Sequence, residues 1–299
     1  MTWALVMAVG AGILFAGGTV SVRRAIYRLG ESYTTTAVGI FLGVPFFAIV
    51  ISLAGEWDKL LAAPWPLLLR LAAAGIIHFI IGRVLSYEAY RLIGANKATP
   101  FQMTNLIYSI ILSAVFLHEP ITVYTVVGAA GIFAGTSLVS SEQRSISEPS
   151  IGRLSNNARG ILLSLAGALC WGVTPVIIKP AVAEIGSPFA GVFVSYLAAA
   201  IVFALFYIKR EPRQHMARLK AREILVSVLA GGVFAAAGQL LHYTALGGGP
   251  ASLVVPLVNT TVIFSFLFSF FINRHIEVFT VKIIAGMLVT LAGTFVLFL

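Results

Sequence analysis

Charge is the scarcest commodity in this chain. Acidic and basic side chains supply only 10% of its 299 residues, and 11 acids face 20 Lys and Arg. With 59% hydrophobic residues and a mean hydropathy of +0.97, a soluble domain is excluded. Cysteine is nearly missing as well. Cys170 stands alone, which rules out an intrachain disulfide and a thiolate metal cluster. No basic segment precedes the first apolar run at Trp3, which argues against a cleaved signal peptide. Signatures of chemistry are missing too. There is no HExxH, no nucleotide-binding glycine loop and no dyad of buried carboxylates, so an enzyme is not expected, and neither is a cofactor or a metal.

What the chain has is long apolar runs. Ten of them reach about the 20 residues that cross a bilayer, near 3–22, 33–54, 67–90, 98–117, 121–139, 159–178, 188–208, 224–246, 251–271 and 277–298. Their length and their lack of period-two alternation favour helices over a barrel. Sixteen of the twenty basic residues fall in one alternating set of loops, densest in 209–223. The other side keeps Lys59, Arg70 and Lys179, while Arg83 lies within a span. By the positive-inside rule the basic loops are cytoplasmic and both termini are outside, in the cell (inner) membrane. The dense loop is a solvated segment touching anionic headgroups; no aromatic platform accompanies it, so nucleic acid is not expected as a partner.

The chain is also written twice. Residues 74–89 reappear 156 positions later as 230–245, with identities at Ala74/Ala230, Gly75/Gly231, Gly82/Gly238, Leu85/Leu241, Tyr87/Tyr243 and Ala89/Ala245. Residues 11–19 match 166–174, and 119–136 match 277–294, in the same order. Three ordered blocks point to duplication. The expected organisation is a first five-helix repeat at 1–139, a polar cytoplasmic linker at 140–158 and a second repeat at 159–299. Five is odd, so the second repeat enters the membrane from the opposite face, and the fold class is all-α with ten transmembrane helices as two inverted repeats. A monomer then holds both halves that alternating access requires. The glycines Gly128, Gly131, Gly135, Gly286 and Gly293 mark spans 5 and 10 as close-packing helices. Pro45, Pro175 and Pro256 sit inside spans, where they bend a helix and free a carbonyl.

Several stretches carry a family likeness: Tyr87–Ala89 leading through Gly94–Ala98, FLHEPIT at 116–122, Trp171–Gly172, Tyr243–Leu246 and Gly249–Ser252. With the glycines of span 5 they resemble the drug/metabolite transporter superfamily, specifically its EamA-like members, over essentially the whole chain. The resemblance implies spans 1–4 and 6–9 around a central cavity, with spans 5 and 10 to the side. It also implies a secondary transporter, often an exporter of amino acids or related metabolites. Two departures stand out. Trp171–Gly172 is Ala16–Gly17 in the first half, so the aromatic contact is expected once. Many relatives keep both termini in the cytoplasm.

Ionisable groups within a span are costly and so are functional suspects. Arg83 is the deepest permanent charge, and its repeat partner is the neutral Gln239. It either binds a carboxylate or phosphate bidentately, or snorkels to headgroups or pairs with Glu88. His78, matched by Phe234, either meets substrate or a coupled proton, or bonds a neighbouring helix. His242 joins Gln239 and Tyr243 on one helix face. Gln102 and Asn105 on span 4, with Tyr108 beside them, and Asn259 at comparable depth on span 9 either glue helices or face a cavity; the resemblance places span 4 at the cavity. Trp171 and Thr174, with Thr19 at the matching place on span 1, lie near the repeat axis, and Trp171 suits stacking on substrate or plain packing. The expected activity is alternating-access transport of a small polar metabolite, an amino acid or related carboxylate, with proton coupling or exchange. The alternatives are a flippase for a lipid-linked headgroup and a non-transporting receptor or scaffold.

Overall fold

A segment of twenty apolar residues has to satisfy its backbone internally once it leaves water, and the helix does so within one segment. The computed structural model describes residues 2–29, 33–93, 98, 101–142, 154–207, 222–272 and 280–299. Among these no strand occurs. The elements are α1 (Thr2–Leu29), α2 (Tyr33–Ala54), the short α3 (Trp57–Leu61) and α4 (Trp65–Ile76). A π-helical turn, Ile77–Ile81, joins α4 to α5 (Gly82–Ile93). Then follow α6 (Asn105–Leu117), α7 (Val123–Glu142), α8 (Leu154–Ile185), α9 (Pro188–Tyr207) and α10 (Arg222–Gly248). The last are α11 (Ala251–Val258), α12 (Thr261–Ile272) and α13 (Val281–Val296). The central linker residues 143–153, the basic stretch 208–221, Asn96, Lys97 and Glu277 lie outside the described residues.

Among the described residues seven segments are long and apolar enough to cross a membrane: 2–21, 36–54, 65–90, 157–185, 188–205, 224–248 and 251–268. Three shorter apolar helices, 105–117, 123–139 and 281–296, coincide with expected spans 4, 5 and 10. Ten full-length spans were expected; the described residues hold these seven and three shorter apolar helices. Span 9 is broken into α11 and α12 at Asn259–Thr260. Pro256 has no N–H to donate one turn back, and three side chains take up carbonyls around the break. Asn259 Nδ2 donates to Val255 O (2.9 Å), Thr260 Oγ1 to Leu257 O (2.6 Å) and Thr261 Oγ1 to Val258 O (2.6 Å). Expected span 6 runs further than its hydropathy suggested, continuing through Pro180 to Ile185.

The helices pack in matched pairs. α1 lies along α10 and α5 along α8; α2 meets α10 and α4 meets α9; α1 meets α12 and α8 meets α6. α2 touches α9, and α7 lies along α13. Lipid gives no hydrophobic drive for such pairing, so close backbone approach must supply it. A Cβ on Gly293 would sit 2.7 Å from Gly128 O, which shows how near α7 and α13 come. Between α4 and α9, Gly75 lies directly under the Ser195 carbonyl, and Ser195 Oγ donates to Leu71 O at 2.8 Å.

Two carboxylates tie loops together. Glu56 accepts from Lys59 Nζ (2.6 Å) and Ser187 Oγ (2.5 Å), while Lys59 also reaches Gly186 O (3.1 Å). The α2–α3 loop is thereby joined to the α8–α9 loop. The second carboxylate is Glu119. His118 adopts a left-handed φ of 52° at the end of α6, a rare conformation for a non-glycine residue, and turns the chain so that Glu119 meets the start of α11. Its carboxylate accepts from Ala251 N (2.8 Å), Ser252 N (2.9 Å), Ser252 Oγ (2.7 Å) and Lys179 Nζ (2.5 Å). An anion on exposed amides at a helix start is a favourable placement. Burial opposes ionisation of Glu119, but these donors outweigh it and hold the carboxyl below its usual range.

Candidate functional site

Where the two halves face each other the bundle leaves a cavity of about 110 Å³. Its walls come from six elements: Phe15 of α1, His78 of the π-turn, Asn105 of α6, Trp171 and Pro175 of α8, Gln239 and His242 of α10, and Val255, Val258 and Asn259 at the end of α11. No lining residue carries a formal charge at neutral pH other than what the two imidazoles could take up.

Polar groups converge here with unmet capacity. Asn105 and His242 are buried, at 8% and 7% exposure, and Asn105 Oδ1 and His242 Nε2 have no hydrogen-bond partner. His78 Nδ1 has none either, while its Nε2 stands 3.4 Å from Gln239 Nε2. Buried polar atoms are normally paired, so such a cluster calls for an explanation in ligand or water. The aromatic residues sit as two pairs. Trp171 lies 6.4 Å from the His78 ring and donates its indole N–H to His78 O at 3.3 Å. Phe15 meets His242 edge-on at 6.4 Å.

Both rings rest over glycine. A Cβ on Gly82 would fall 2.8 Å from Trp171 Nε1, and one on Gly238 would fall 2.6 Å from Phe15 Cδ1. Gly82 and Gly238 are repeat partners, so the aromatic contact expected once is made twice. Phe15 supplies the second copy from the position before Ala16, one residue out of register.

Of the residues singled out from sequence, His78, Asn105, Trp171, Gln239, His242 and Asn259 line this cavity. The others do not. Arg83 turns aside and places Nη1 3.4 Å from Thr36 Oγ1, which is also 2.9 Å from the Tyr87 hydroxyl. Gln102 accepts from the Tyr90 hydroxyl at 2.6 Å, and Tyr108 packs over Gly172. Thr174 is buried and donates to Cys170 O at 2.6 Å. Thr19 is exposed and donates to Phe15 O at 2.9 Å. Tyr243 is buried in the apolar core beside Gly191.

The π-turn accounts for Arg83. Gly82 N donates to Ile77 O, a span of five residues rather than four. The matching segment of α10 is regular α-helix, and the two sequences align without a gap. One residue held over in a turn rotates everything beyond it by about 100° relative to a regular helix. Gln239 therefore faces the cavity while its counterpart Arg83 does not. Phe15, Pro175, Val255 and Val258 were missed as site residues because apolar side chains on apolar helices carry no mark in sequence. Two signals were available: the adjacency of Phe15 to the position matching Trp171, and Pro175 as a proline inside a span.

A bundle of apolar helices around a largely apolar cavity with a few inward polar groups has the build of a polytopic membrane protein. The model of the EamA-like transporter family matches residues 2–141 and again 158–299. The chain belongs to that family of membrane transporters. A solved structure titled "Crystal structure of protein" is similar with a TM-score of 0.78, covering 99% of this chain and 96% of that one at 19% identity, a likeness of fold. No curated protein matches the chain.

Proposed function

We propose that this protein is a secondary transporter that carries a small polar metabolite across the cell membrane by alternating access, as a monomer of two inverted five-helix repeats. The observation that carries this reading is the cavity, in which unfilled hydrogen-bonding groups from both halves converge. The packing pairs support the inverted repeat. Exchanging the halves turns α1–α10 into α8–α5, α2–α10 into α9–α4, and α1–α12 into α8–α6. On this reading α6, α7 and α13 are the short spans 4, 5 and 10, and the units are 1–139 and 159–299 about the linker 140–158.

In this state one face is held shut. Lys179 and Ser252 lie one turn beyond the cavity residues Pro175 and Val255, so the Glu119 carboxylate ties α6, α8 and α11 together just past the site. The Glu56 network closes the neighbouring loops on the same side. Basic residues of the opposite loops assign this tied face to the outside. Its release, with closure of the cytoplasmic face, is the alternation. Coupling is by proton or by exchange, with His78 and His242 as the titratable groups at the site.

The expectation of a carboxylate substrate rested on the resemblance and mainly on Arg83, which is not among the lining residues. Saturable counterflow of a metabolite panel in proteoliposomes tests the transport reading. Preloaded solute should accelerate entry of label, and Gln239→Leu should remove that acceleration while leaving folded protein. Flux that rises linearly with concentration and shows no counterflow would make the protein a channel and sink the proposal.

A further inference from the structure

The chemistry of the cavity wall narrows the solute. Among the described residues no acid or fixed cation lines it. Lys179 is committed to Glu119, and Arg83 is turned to Thr36. A net charge brought into such an interior loses its hydration and meets no counter-charge in the wall itself, only the field of Arg83 from behind His78, and neutral hydrogen bonds do not restore that loss. A neutral polar solute meets the opposite situation. Asn105 Oδ1 is an acceptor awaiting an N–H, and His242 Nε2 and His78 Nδ1 donate or accept according to tautomer. Asn259 gives one Nδ2 hydrogen to Val255 O, which leaves its second N–H as donor and its amide oxygen as acceptor.

Shape adds a second restriction. Trp171 and Phe15, each seated on a glycine, present aromatic surface to the same small space. The volume, about 110 Å³, is below the roughly 150 Å³ of an engineered cavity that binds benzene. One small flat ring is therefore the most these walls take, and only with slight opening; a second ring or a long flexible chain is excluded.

We propose that the solute is a net-uncharged, single-ring heterocycle bearing adjacent N–H and C=O groups, the edge chemistry of a pyrimidine or cyclic amide, an assignment that rests on the transport reading above. The ring lies against Trp171, and its edge completes the hydrogen bonds of Asn105 and His242.

The test uses the full chain in proteoliposomes with three probes: uracil, orotate (the same ring with a carboxylate) and alanine (a zwitterion without a ring). Uracil should show saturable counterflow and raise the melting temperature of the purified protein. Orotate and alanine should compete at least about tenfold more weakly, the penalty of one tenfold step in affinity. Trp171→Ala should raise the half-saturation concentration for uracil about tenfold, as loss of one base–aromatic stack does, while Trp171→Phe stays near wild type. Where Trp171→Ala does not fold, Asn105→Leu serves, with loss of saturable uracil counterflow expected from folded protein. Counterflow of orotate or alanine equal to that of uracil overturns the assignment and leaves the transporter reading intact. Neither counterflow nor a thermal shift with uracil overturns the assignment too, and the wider panel then judges transport separately. Equal losses in Trp171→Ala and Trp171→Phe would remove the stacking face.

Discussion

Asn105 is in an uncomfortable place for a structural residue. Its amide is buried, and its Oδ1 has no partner. An unsatisfied buried polar atom costs stability, whereas an apolar group of similar shape is neutral or better. Asn105→Leu is therefore expected to keep or raise the melting temperature in detergent while removing saturable transport. A fall in both together would make Asn105 a structural residue. Residues such as this one were legible in sequence, because an amide inside an apolar helix has few roles. Arg83 shows the limit. Its depth in the span was legible, but its direction depends on a π-turn that leaves no trace in a gapless repeat. Glu119 and Lys179 were visible only as charges near span ends, and nothing local pairs residues sixty positions apart.

At the scale of elements, the Glu119 junction and the α7–α13 pair behave differently. Removing Glu119 leaves the Ala251 and Ser252 amides without their acceptor and the Lys179 ammonium without its anion. Glu119→Ala should lower stability by about 2–3 kcal/mol, below the full value for a buried pair because Lys179 is partly exposed. The pH dependence has a definite sign. The folded-state value lies below the ordinary 4.5, so the contribution is complete above pH 4.5 and fades as pH falls through the depressed value. Melting curves from pH 7 to pH 3 should show wild type losing more than Glu119→Ala; parallel curves would remove the junction from the stability account. In α13, Gly293→Val forces side-chain atoms onto the α7 backbone, where even a Cβ meets Gly128 O at 2.7 Å. Overpacking of this kind costs about 1–3 kcal/mol. Because the α7–α13 pair supplies no lining residue, half-saturation should stay unchanged while the melting temperature falls. The boundaries of α2, 33–54, followed hydropathy directly. The break between α11 and α12 did not, since the hydroxyls and amide that mend it also suit an unbroken helix.

For the whole molecule, the orientation rests on charge. Reporter fusions at Leu299 and within 209–223 should report opposite sides of the membrane, with the carboxy terminus outside. A cytoplasmic Leu299 would reverse the assignment of the tied face and leave the helix packing untouched. The described networks already show an economy consistent with this orientation. Two of the three basic residues expected outside, Lys59 and Lys179, are neutralised by Glu56 and Glu119.

The π-turn at Ile77–Ile81 has a mechanical consequence. Its surplus residue is held by conformation and not by an insertion, since α10 spans the same sequence length as plain α-helix. Winding that turn down to α geometry needs no change in chain length, only a screw motion of α5 through about 100° about its own axis. The motion would break the bond from Gly82 N to Ile77 O and carry the guanidinium from Thr36 toward the bearing that Gln239 holds on the other side. Span 3 thus stores a quarter-turn of twist, with a cation mounted on the end that rotates.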